Sequence, residues 1–558
     1  MAETVVVCDD LLLATLPQAK RCEAVRGTWP SAEGGGAAPS VVGSLDACRR
    51  DRTRIDSVTE LAALVPTNAL ASVDGAFQFA ASSGAQGAQT LVLSRDAIGQ
   101  RTMYYARMSG GRVAYASDVQ SLVTRHDVSR KLDPRAIASY LSCAYVPGRG
   151  TLFEGIQELL PGHTITFEES KGGAGVEKPF FVLPPENESE SGSDEADRES
   201  IRGLRALLER TIADTLDPAD EAVAFLSGGI DSSVVVALVQ RALGRPLHTL
   251  SIAFGDTYKN ELEWSSLVAS HVGTDHTIFH LTPQAVLSAL DETHAFLASP
   301  IGDPLTVPNA ILFRKARELG RYVWNGEGGD PCFGGPKNLP MLLAELYGDG
   351  ENQGHDASPR ARSYYRAHLK CFDELSSLMT ESALEALKQR PLETDVDVFF
   401  EDEGRSFVGA LSAINVTWKG GHHILPKVDQ LGRAAGVLPR SPLFSKSVVE
   451  YASRLPPSLK LRGSVEKFAL KEAVRDLLPD AIIDRPKSGM MVPVEGWFQG
   501  ALLPHARERL LGGCLPWDIL QRRAVEALVD GRVTGLRPRR GVKIWLLVAL
   551  ESYLRQFL

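Results

Sequence analysis

The stretch Ala222-Val223-Ala224-Phe225-Leu226-Ser227-Gly228-Gly229-Ile230-Asp231-Ser232-Ser233 leads from one apolar run into another, Val234 to Val239. β-Branched and apolar residues bounded by glycines favour a buried strand, and the second run has helical length. We therefore predict a parallel strand, a glycine turn and the start of a helix. Such a turn binds anions, because glycines let backbone N–H groups approach closely and the helix N-terminus carries positive charge.

Hydroxyl groups and one carboxylate surround the two glycines. Ser227, Ser232 and Ser233 add hydroxyl donors for an anion. Asp231 would repel a bare phosphate, so its presence predicts a bridging Mg²⁺, which takes carboxylate and phosphate oxygens together. No Walker lysine follows the glycines, so the turn is not a Walker A loop. We therefore predict a phosphate site at the carboxyl end of this strand, with Asp231 as a metal ligand.

The segment Ser227-Gly228-Gly229-Ile230-Asp231-Ser232 resembles the SGGxDS signature of ATP pyrophosphatases, which cleave ATP between the α and β phosphates. The resemblance implies ATP and Mg²⁺ as cofactors. Ile252 lies on a predicted strand, 248–254, whose backbone faces adenine in that family; the alternative is a plain core residue. The nucleotide contacts that the resemblance implies are Leu226, Ser227, Gly228, Gly229, Asp231, Ser232, Ile252 and Gly326.

A second motif, NGEGGDPCFGG, runs from Asn325 to Gly335 after a short predicted strand. It resembles the GEGxDExFGG segment of asparagine synthetases. Pro331 stands where that family has an acid, and the form DPxFGGPKN is similar to lasso peptide cyclases. The resemblance makes Asp330 the second metal ligand, with helix capping as the alternative. It makes Glu327 the carboxylate that faces the acyl carbon, with a structural hydrogen bond as the alternative.

Two further stretches near the carboxyl end continue the resemblance. Residues 466–471 are similar to the KxxLR helix of the same family, and Lys487 follows in an Arg-Pro-Lys-Ser-Gly segment. Lys487 matches a lysine that neutralises the α-phosphate and the developing oxyanion, which is a use of prepositioned charge worth several kcal/mol. The alternative is an ordinary surface lysine.

Other polar residues have a simpler interpretation. Asp303 lies in a proline-rich loop, where a turn-stabilising role is slightly favoured over contact with substrate. His422 and His423 are adjacent and have no third ligand at metal spacing, so we expect a surface or packing role. Arg440, in a segment similar to the family's EVRVPFLD, has a structural interpretation.

Composition indicates a large protein of the cytoplasm. The chain has 558 residues, 44% of them hydrophobic, and exceeds one ordinary core. The net charge of −9 argues against binding nucleic acid. The seven cysteines show no disulfide or metal spacing, which is typical of reduced thiols. No signal peptide and no membrane span is expected.

The predicted fold class is α/β, with two domains and a linker. Residues 1–170 resemble a class II glutamine amidotransferase domain of the N-terminal nucleophile sandwich type. Those enzymes use a cysteine at the mature N-terminus, whereas this chain begins Met1-Ala2-Glu3 and has Cys8 at the end of an apolar strand. We therefore expect a degenerate domain. Residues 171–200 form an acidic flexible linker. Residues 201–558 form the doubly wound ATP pyrophosphatase domain with added helices.

These features predict a lasso peptide macrolactam cyclase. A side-chain carboxylate of a leader-free peptide would be adenylated and captured by the peptide's own N-terminal amine. Three alternatives stay open: a β-lactam-type synthetase, an ammonia-dependent asparagine-type synthetase, and an inactive nucleotide-binding scaffold for a leader peptidase. The expected partners are the precursor peptide, a leader peptidase and a leader-recognition protein, with no nucleic acid and no membrane.

Overall fold

The computed structural model describes residues 4–8, 26–29, 40–84, 88–187, 194–217, 219–255, 258, 261–335, 359–486, 489–532 and 539–557. Two predicted site features fall outside these ranges: Lys487 and the PKN part of the second motif, 336–338.

The strands are, in chain order, β1 (Thr4–Cys8), β2 (Arg26–Trp29), β3 (Ser40–Arg50), β4 (Thr53–Arg54), β5 (Val73–Ser83), β6 (Thr90–Arg95), β7 (Tyr104–Arg107), β8 (Val113–Ala116), β9 (Ile156–Glu158), β10 (His163–Glu168), β11 (Gly175–Pro179), β12 (Ala222–Phe225), β13 (His248–Ala253), β14 (Asp275–Leu281), β15 (Tyr322–Trp324), β16 (Leu438–Arg440), β17 (Leu461–Arg462) and β18 (Val465–Glu466).

The α-helices are α1 (Val58–Ala63), α2 (Val119–Val123), α3 (Pro134–Cys143), α4 (Asp194–Thr215), α5 (Ile230–Leu243), α6 (Leu262–Val272), α7 (Pro283–Ser288), α8 (Leu290–Ala295), α9 (Thr306–Arg317), α10 (Gly329–Phe333), α11 (Pro359–Ala367), α12 (Leu375–Leu378), α13 (Glu381–Gln389), α14 (Thr394–Phe400), α15 (Phe407–Ile414), α16 (Leu425–Ala434), α17 (Lys446–Arg454), α18 (Pro457–Lys460), α19 (Phe468–Ala473), α20 (Asp480–Ile483), α21 (Val494–Trp497), α22 (Leu503–Gly512), α23 (Arg522–Val529) and α24 (Arg540–Arg555). A π-helix, Asn415–Ile424, joins α15 to α16.

The predicted doubly wound sheet is confirmed. Six strands run in the order β1-β14-β13-β12-β15-β16, and every neighbouring pair is parallel. Successive residues of β12 and β15 enter different cores. Val223 and Val323 pack in one core, and Ala224 and Trp324 in the other. Both faces of the sheet are therefore covered, as a parallel sheet requires.

The predicted sandwich is also present. One antiparallel sheet has the order β11-β10-β6-β5-β3-β4 and the other has β2-β8-β7-β9. Leu91 and Phe167 from the first sheet share a core with Tyr105 and Val113 from the second. This core fills the space between the two sheets.

The first strand differs from the prediction. We expected residues 1–170, with the apolar strand that ends at Cys8, to form the N-terminal domain, but β1 pairs in parallel with β14, with Val6 opposite Phe279. The apolar run predicts a strand and does not specify which sheet edge it joins. β14 offers an open edge, and pairing with β1 covers its unpaired backbone groups.

The predicted linker, 171–200, was too long at both ends. β11 pairs with β10 of the sandwich, so the first antiparallel sheet extends to Pro179. The acidic residues Asp194, Glu195 and Asp197 lie in the first turn of α4. Negative charge is favourable at a helix N-terminus because of the helix dipole. This part of the acidic run is therefore the start of a helix.

Hydrogen bonds and ion pairs of arginines connect the sandwich to the parallel-sheet domain. The Arg95 guanidinium donates to Glu158 at 2.6 Å and to the Gly421 carbonyl of the π-helix at 2.6 Å. Arg440 pairs with Asp46 of β3 at 2.7 Å, which agrees with its predicted structural role. Among the described residues, no helix combines the length and the apolar character needed to cross a bilayer.

Candidate active site

The phosphate loop forms as predicted between β12 and α5. Gly229 is the N-cap of α5, so the first helical N–H groups face the loop. Gly228 has a φ of +76°, and a Cβ there would lie 2.5 Å from the Ser265 nitrogen. Gly326 approaches from the end of β15, where a Cβ would lie 2.4 Å from the Ser232 nitrogen. Both positions therefore require glycine.

The serine hydroxyls stabilise the loop. Ser232 Oγ accepts a hydrogen bond from the Ser227 nitrogen at 3.1 Å and lies 3.1 Å from Ser227 Oγ. The Gly229 nitrogen donates to Ser227 Oγ at 3.3 Å. Ser233 Oγ donates to the Gly229 carbonyl at 2.9 Å. The loop is therefore held in one conformation by its own hydroxyls.

The two predicted metal ligands converge on one point. Lys467 Nζ lies 2.7 Å from Asp231 Oδ1 and also pairs with Asp330. Gly329 packs so closely on Asp231 that a Cβ would lie 2.0 Å from Oδ1, and a Cβ on Gly335 would lie 2.6 Å from Asp330 Cβ. Two close carboxylates suit Mg²⁺, which is usually held by one or two carboxylates plus substrate phosphates. The donor set fits the implied metal, and the described residues contain no cluster of three or more His, Cys, Asp or Glu that could bind one alone.

Lys467 was missed as a site residue. It is almost fully buried, and it has a φ of +56° immediately before α19. The sequence signal was available, since Lys467 begins the segment similar to KxxLR. A buried ammonium between two carboxylates supplies positive charge where phosphates are expected to bind. Arg485 lies nearby, because it donates to the Gly228 carbonyl at 3.2 Å and to Glu261 Oε1 at 2.6 Å.

One cavity of about 660 Å³ connects the phosphate loop to Glu327. We call the region around Ser227–Ser232, Asp231, Asp330 and Lys467 the phosphate end. Of the predicted site residues, those that line the cavity are Leu226, Ser227, Asp231, Ser232, Ile252, Gly326, Glu327 and Asp330. Gly228 and Gly229 lie in the turn beneath, and Lys487 lies outside the described residues. The roles of these residues stay predictions.

Glu327 is positioned by the turn after β15. Its backbone nitrogen donates to Asn325 Oδ1 at 3.1 Å, and Ser441 Oγ donates to the same oxygen at 2.8 Å. Burial raises the pKa of the Glu327 carboxyl, Lys427 and Lys419 oppose this effect, and Asp303 and Asp330 add to it. A carboxylate with a raised pKa is suited to accept a proton near neutral pH.

Asp303 has more than the turn-stabilising role that the sequence favoured. It accepts a hydrogen bond from the Leu305 nitrogen, as a turn residue does, but Lys427 Nζ also lies 2.9 Å from its Oδ2. Burial opposes ionisation of Asp303, but the charge of Lys427 and the contact with His423 hold its pKa well below the usual value. Asp303, Glu327, His423 and Lys427 all line the cavity. We call these four residues the acyl end.

The two histidines lie in the interior, so the expectation of a surface role was wrong and that of packing was incomplete. His422 Nδ1 lies 3.2 Å from Glu158 Oε2, at the contact with the sandwich. His423 lines the cavity, and its ring stacks on Tyr145 with centroids 5.2 Å apart. The spacing in the sequence does not show which of the two histidines faces the cavity. Adjacent residues of a helix point in different directions, and the packing of the π-helix directs His423, not His422, to the cavity.

The comparisons with known proteins agree with this architecture. The asparagine synthase family model matches residues 203–555, and a glutamine amidotransferase domain model matches residues 50–179. The chain therefore belongs to the asparagine synthase family. Members of this family use ATP to form amides, and the protein is an ATP-dependent amide-forming ligase.

Several curated relatives are similar over most of the chain. A putative glutamine-hydrolysing asparagine synthetase of Mycobacterium tuberculosis (strain ATCC 25618 / H37Rv) is 26% identical over 468 residues, which cover 79% of this chain and 70% of that protein. Glutamine-hydrolysing asparagine synthetase 1 of Bacillus subtilis (strain 168) is 23% identical over 73% of this chain and 66% of its own length. Carboxyethyl-arginine β-lactam synthase of Streptomyces clavuligerus is 25% identical over 52% of this chain and 44% of its own length.

Proposed function

We propose that the protein is a lasso peptide macrolactam cyclase. It would use ATP and Mg²⁺ to adenylate an Asp or Glu side chain of a leader-free peptide, and it would close the ring with the peptide's N-terminal amine. The observation that carries the proposal is the single cavity that joins the phosphate loop, the paired carboxylates Asp231 and Asp330, and Glu327. Activation and capture can therefore occur without release of the intermediate.

The first step needs charge neutralisation at the phosphate end. An oxygen of the peptide carboxylate attacks the α-phosphorus, the bond to the bridging oxygen breaks, and pyrophosphate leaves. Asp231 and Asp330 would hold the Mg²⁺, which supplies charge against the leaving pyrophosphate. Lys467 pairs with both carboxylates, so its ammonium places positive charge beside the expected phosphate site. The predicted role of Lys487 is to contact the α-phosphate.

The second step takes place at the acyl end. The amine attacks the acyl carbon of the adenylate, and AMP leaves. Glu327 would accept a hydrogen bond and a proton from the amine, which fits its raised pKa and its place on the cavity wall. An N-terminal amine has a pKa of about 7.7 to 8.0, so a carboxylate in a buried site is a sufficient base.

The peptide specificity rests on the sequence form DPxFGGPKN from Asp330 to Asn338. The proposed partners are the precursor peptide, a leader peptidase and a leader-recognition protein. The similarity to a β-lactam synthase supports a second candidate, a synthetase that closes a ring within a small amino acid.

The test is an assay with purified enzyme, ATP, Mg²⁺ and a leader-free peptide encoded beside this gene. We expect pyrophosphate exchange that depends on the peptide and a product lighter by one water, measured by mass spectrometry. A peptide with a blocked N-terminal amine should support exchange but give no ring. Product formation from ammonia or a small amino acid, without turnover of the peptide, would replace the cyclase with a small-molecule amide synthetase.

A further inference from the structure

Amide formation from a protonated amine has a proton balance that one base does not satisfy. The nitrogen of an N-terminal ammonium has three N–H bonds, and the nitrogen of the ring amide has one. Two protons must therefore leave the nitrogen, one before attack and one from the tetrahedral adduct. Glu327 accounts for one of them. A cavity wall lined by titratable side chains can supply a second acceptor from the protein.

His423 has the properties of this second acceptor. Its side chain is 9% exposed and lines the same cavity as Glu327. Within the described structure its Nδ1 makes no hydrogen bond, and its Nε2 has a long contact with Asp303. A buried, unpaired polar group is costly unless a ligand satisfies it. Asp303 Oδ2 lies 3.5 Å from Nε2, at the right distance to stabilise an imidazolium. Tyr145 stacks on the ring and fixes its plane.

Burial, assisted by two lysine charges, keeps the His423 ring neutral at rest. Burial lowers the pKa of His423 to about 4, Asp303 opposes this effect, and Lys427 and Lys419 add to it. Lys370 and Glu327 line the same cavity. An acyl adenylate would bring a phosphate anion close to these groups, and added negative charge favours the imidazolium. The ring is thus ready to accept a proton once the adenylate has formed.

We propose that His423, paired with Asp303, accepts the second proton during ring closure; this rests on the proposed function. Glu327 takes the first proton from the ammonium. The nitrogen lone pair then forms the C–N bond, and the carbonyl electrons move to oxygen. His423 takes a proton from the positively charged nitrogen of the adduct. The carbonyl re-forms as the C–O bond to AMP breaks, and AMP leaves with that electron pair. The imidazolium returns its proton to solvent.

The adjacent histidine provides a matched control. His422 is also buried, but it contacts Glu158 and is not among the residues that line the cavity. The variants His423→Gln and His422→Gln would be compared in single-turnover closure of a preformed acyl adenylate and in pyrophosphate exchange. The rate at which hydroxylamine captures the adenylate, forming a hydroxamate, is a third measurement. Hydroxylamine is a neutral amine near neutral pH, so its adduct releases only one proton, and Glu327, which has taken none from an ammonium, is free to accept it.

We expect His423→Gln to slow closure by about 10²-fold or more, which is the usual range for loss of a general base. Exchange and hydroxamate formation should stay within about threefold of wild type, because adenylation and the capture of a neutral amine do not need the second acceptor. His422→Gln should leave all three rates within the same range. Since either variant could destabilise the fold, His423→Ala with added imidazole is a second test, and imidazole should restore closure.

Two results would overturn the inference. One is closure by His423→Gln at the wild-type rate, and the other is an equal loss of closure, exchange and hydroxamate formation without rescue by imidazole. Failure of the proposed function gives a different result, because the wild-type enzyme itself would then show no exchange that depends on the peptide.

Discussion

At the phosphate end of the cavity most of the functional groups come from two short contiguous motifs, whereas at the acyl end they come from a loop, a turn, a π-helix and a helix. Ser227 to Ser232 and Asn325 to Asp330 each follow a strand of the parallel sheet. Carboxyl ends of parallel strands meet at one edge, which brings these motifs together. Asp303, His423 and Lys427 meet Glu327 only through the packing of the added helices. The parallel sheet therefore determines the phosphate end, whereas the packing of the added helices of this chain determines the acyl end.

The largest expected effect is at the phosphate end. Asp231→Asn or Asp330→Asn removes one of the two charges that would hold Mg²⁺, so we expect turnover to fall by about 10³-fold or more, equivalent to roughly 4 kcal/mol. Steady-state rates at saturating ATP and Mg²⁺ measure this. Asp373→Asn, at an exposed acid paired with Arg366, is the control. Near-normal rates in both site variants would contradict the metal assignment.

The acyl end should be more important for stability. Lys427→Met leaves the partly buried Asp303 without its ammonium partner. Loss of one partner of a buried pair typically costs about 3–5 kcal/mol. We expect a corresponding fall in the free energy of unfolding, measured by urea denaturation.

The double variant Asp303→Asn/Lys427→Met is the control, because it removes both charges. It should recover a large part of the loss. If the double variant is no more stable than Lys427→Met, the cost is not that of an unpaired Asp303.

Glu327→Gln separates the two ends kinetically. The amide cannot accept the first proton, so ring closure should fall by about 10²-fold. Pyrophosphate exchange should stay comparatively intact, because adenylation uses the phosphate end. Exchange and single-turnover closure measured on the same preparation give the comparison. An equal loss of both rates would place Glu327 with the phosphates instead.

The sequence predicted the contiguous part of the site and missed most of the assembled part. The glycines at 228 and 326 have the close backbone approaches that the motif indicated. Lys467 was quoted within a resemblance but received no role, because only the structure shows its contact with Asp231 and Asp330. His423 could not be distinguished from His422, because only the packing of their helix shows which of the two faces the cavity.

In the fold, too, the sequence predicted what local patterns determine and missed what depends on contacts between distant parts of the chain. Alternation of strands and helices predicted the doubly wound sheet, since local patterns determine each element. The placement of β1 beside β14 depends on which sheet edge is open, and a short apolar run carries no information on that point.

Two buried histidines should make stability depend on pH. The pKa values of His294 and His423 are both lowered to about 4, chiefly by burial. The unfolded chain binds protons at these positions below its ordinary pKa of about 6.5, whereas the folded chain does not, so stability is full above about pH 6.5 and falls towards pH 4.

Each histidine should contribute up to roughly 3 kcal/mol across this range. Urea midpoints at several pH values measure the effect, and His294→Gln should reduce the slope without touching the cavity. An unchanged slope in that variant would exclude His294 as a source of the pH dependence.

The smallest expected effect concerns the sandwich. Cys8 ends β1, which pairs within the parallel sheet and not within the sandwich. Burial raises the pKa of the Cys48 thiol to about 12 and also raises that of Cys143, so neither forms the thiolate that a glutaminase needs. We therefore predict that the protein releases no glutamate from glutamine and that Cys8→Ala leaves ring closure unchanged. A coupled glutamate assay on the wild type and on Cys8→Ala measures the first point, with cyclisation of the peptide as the internal control. Glutamate release that disappears in Cys8→Ala would show that the sandwich keeps a working nucleophile, and the amine could then come from glutamine instead of the peptide.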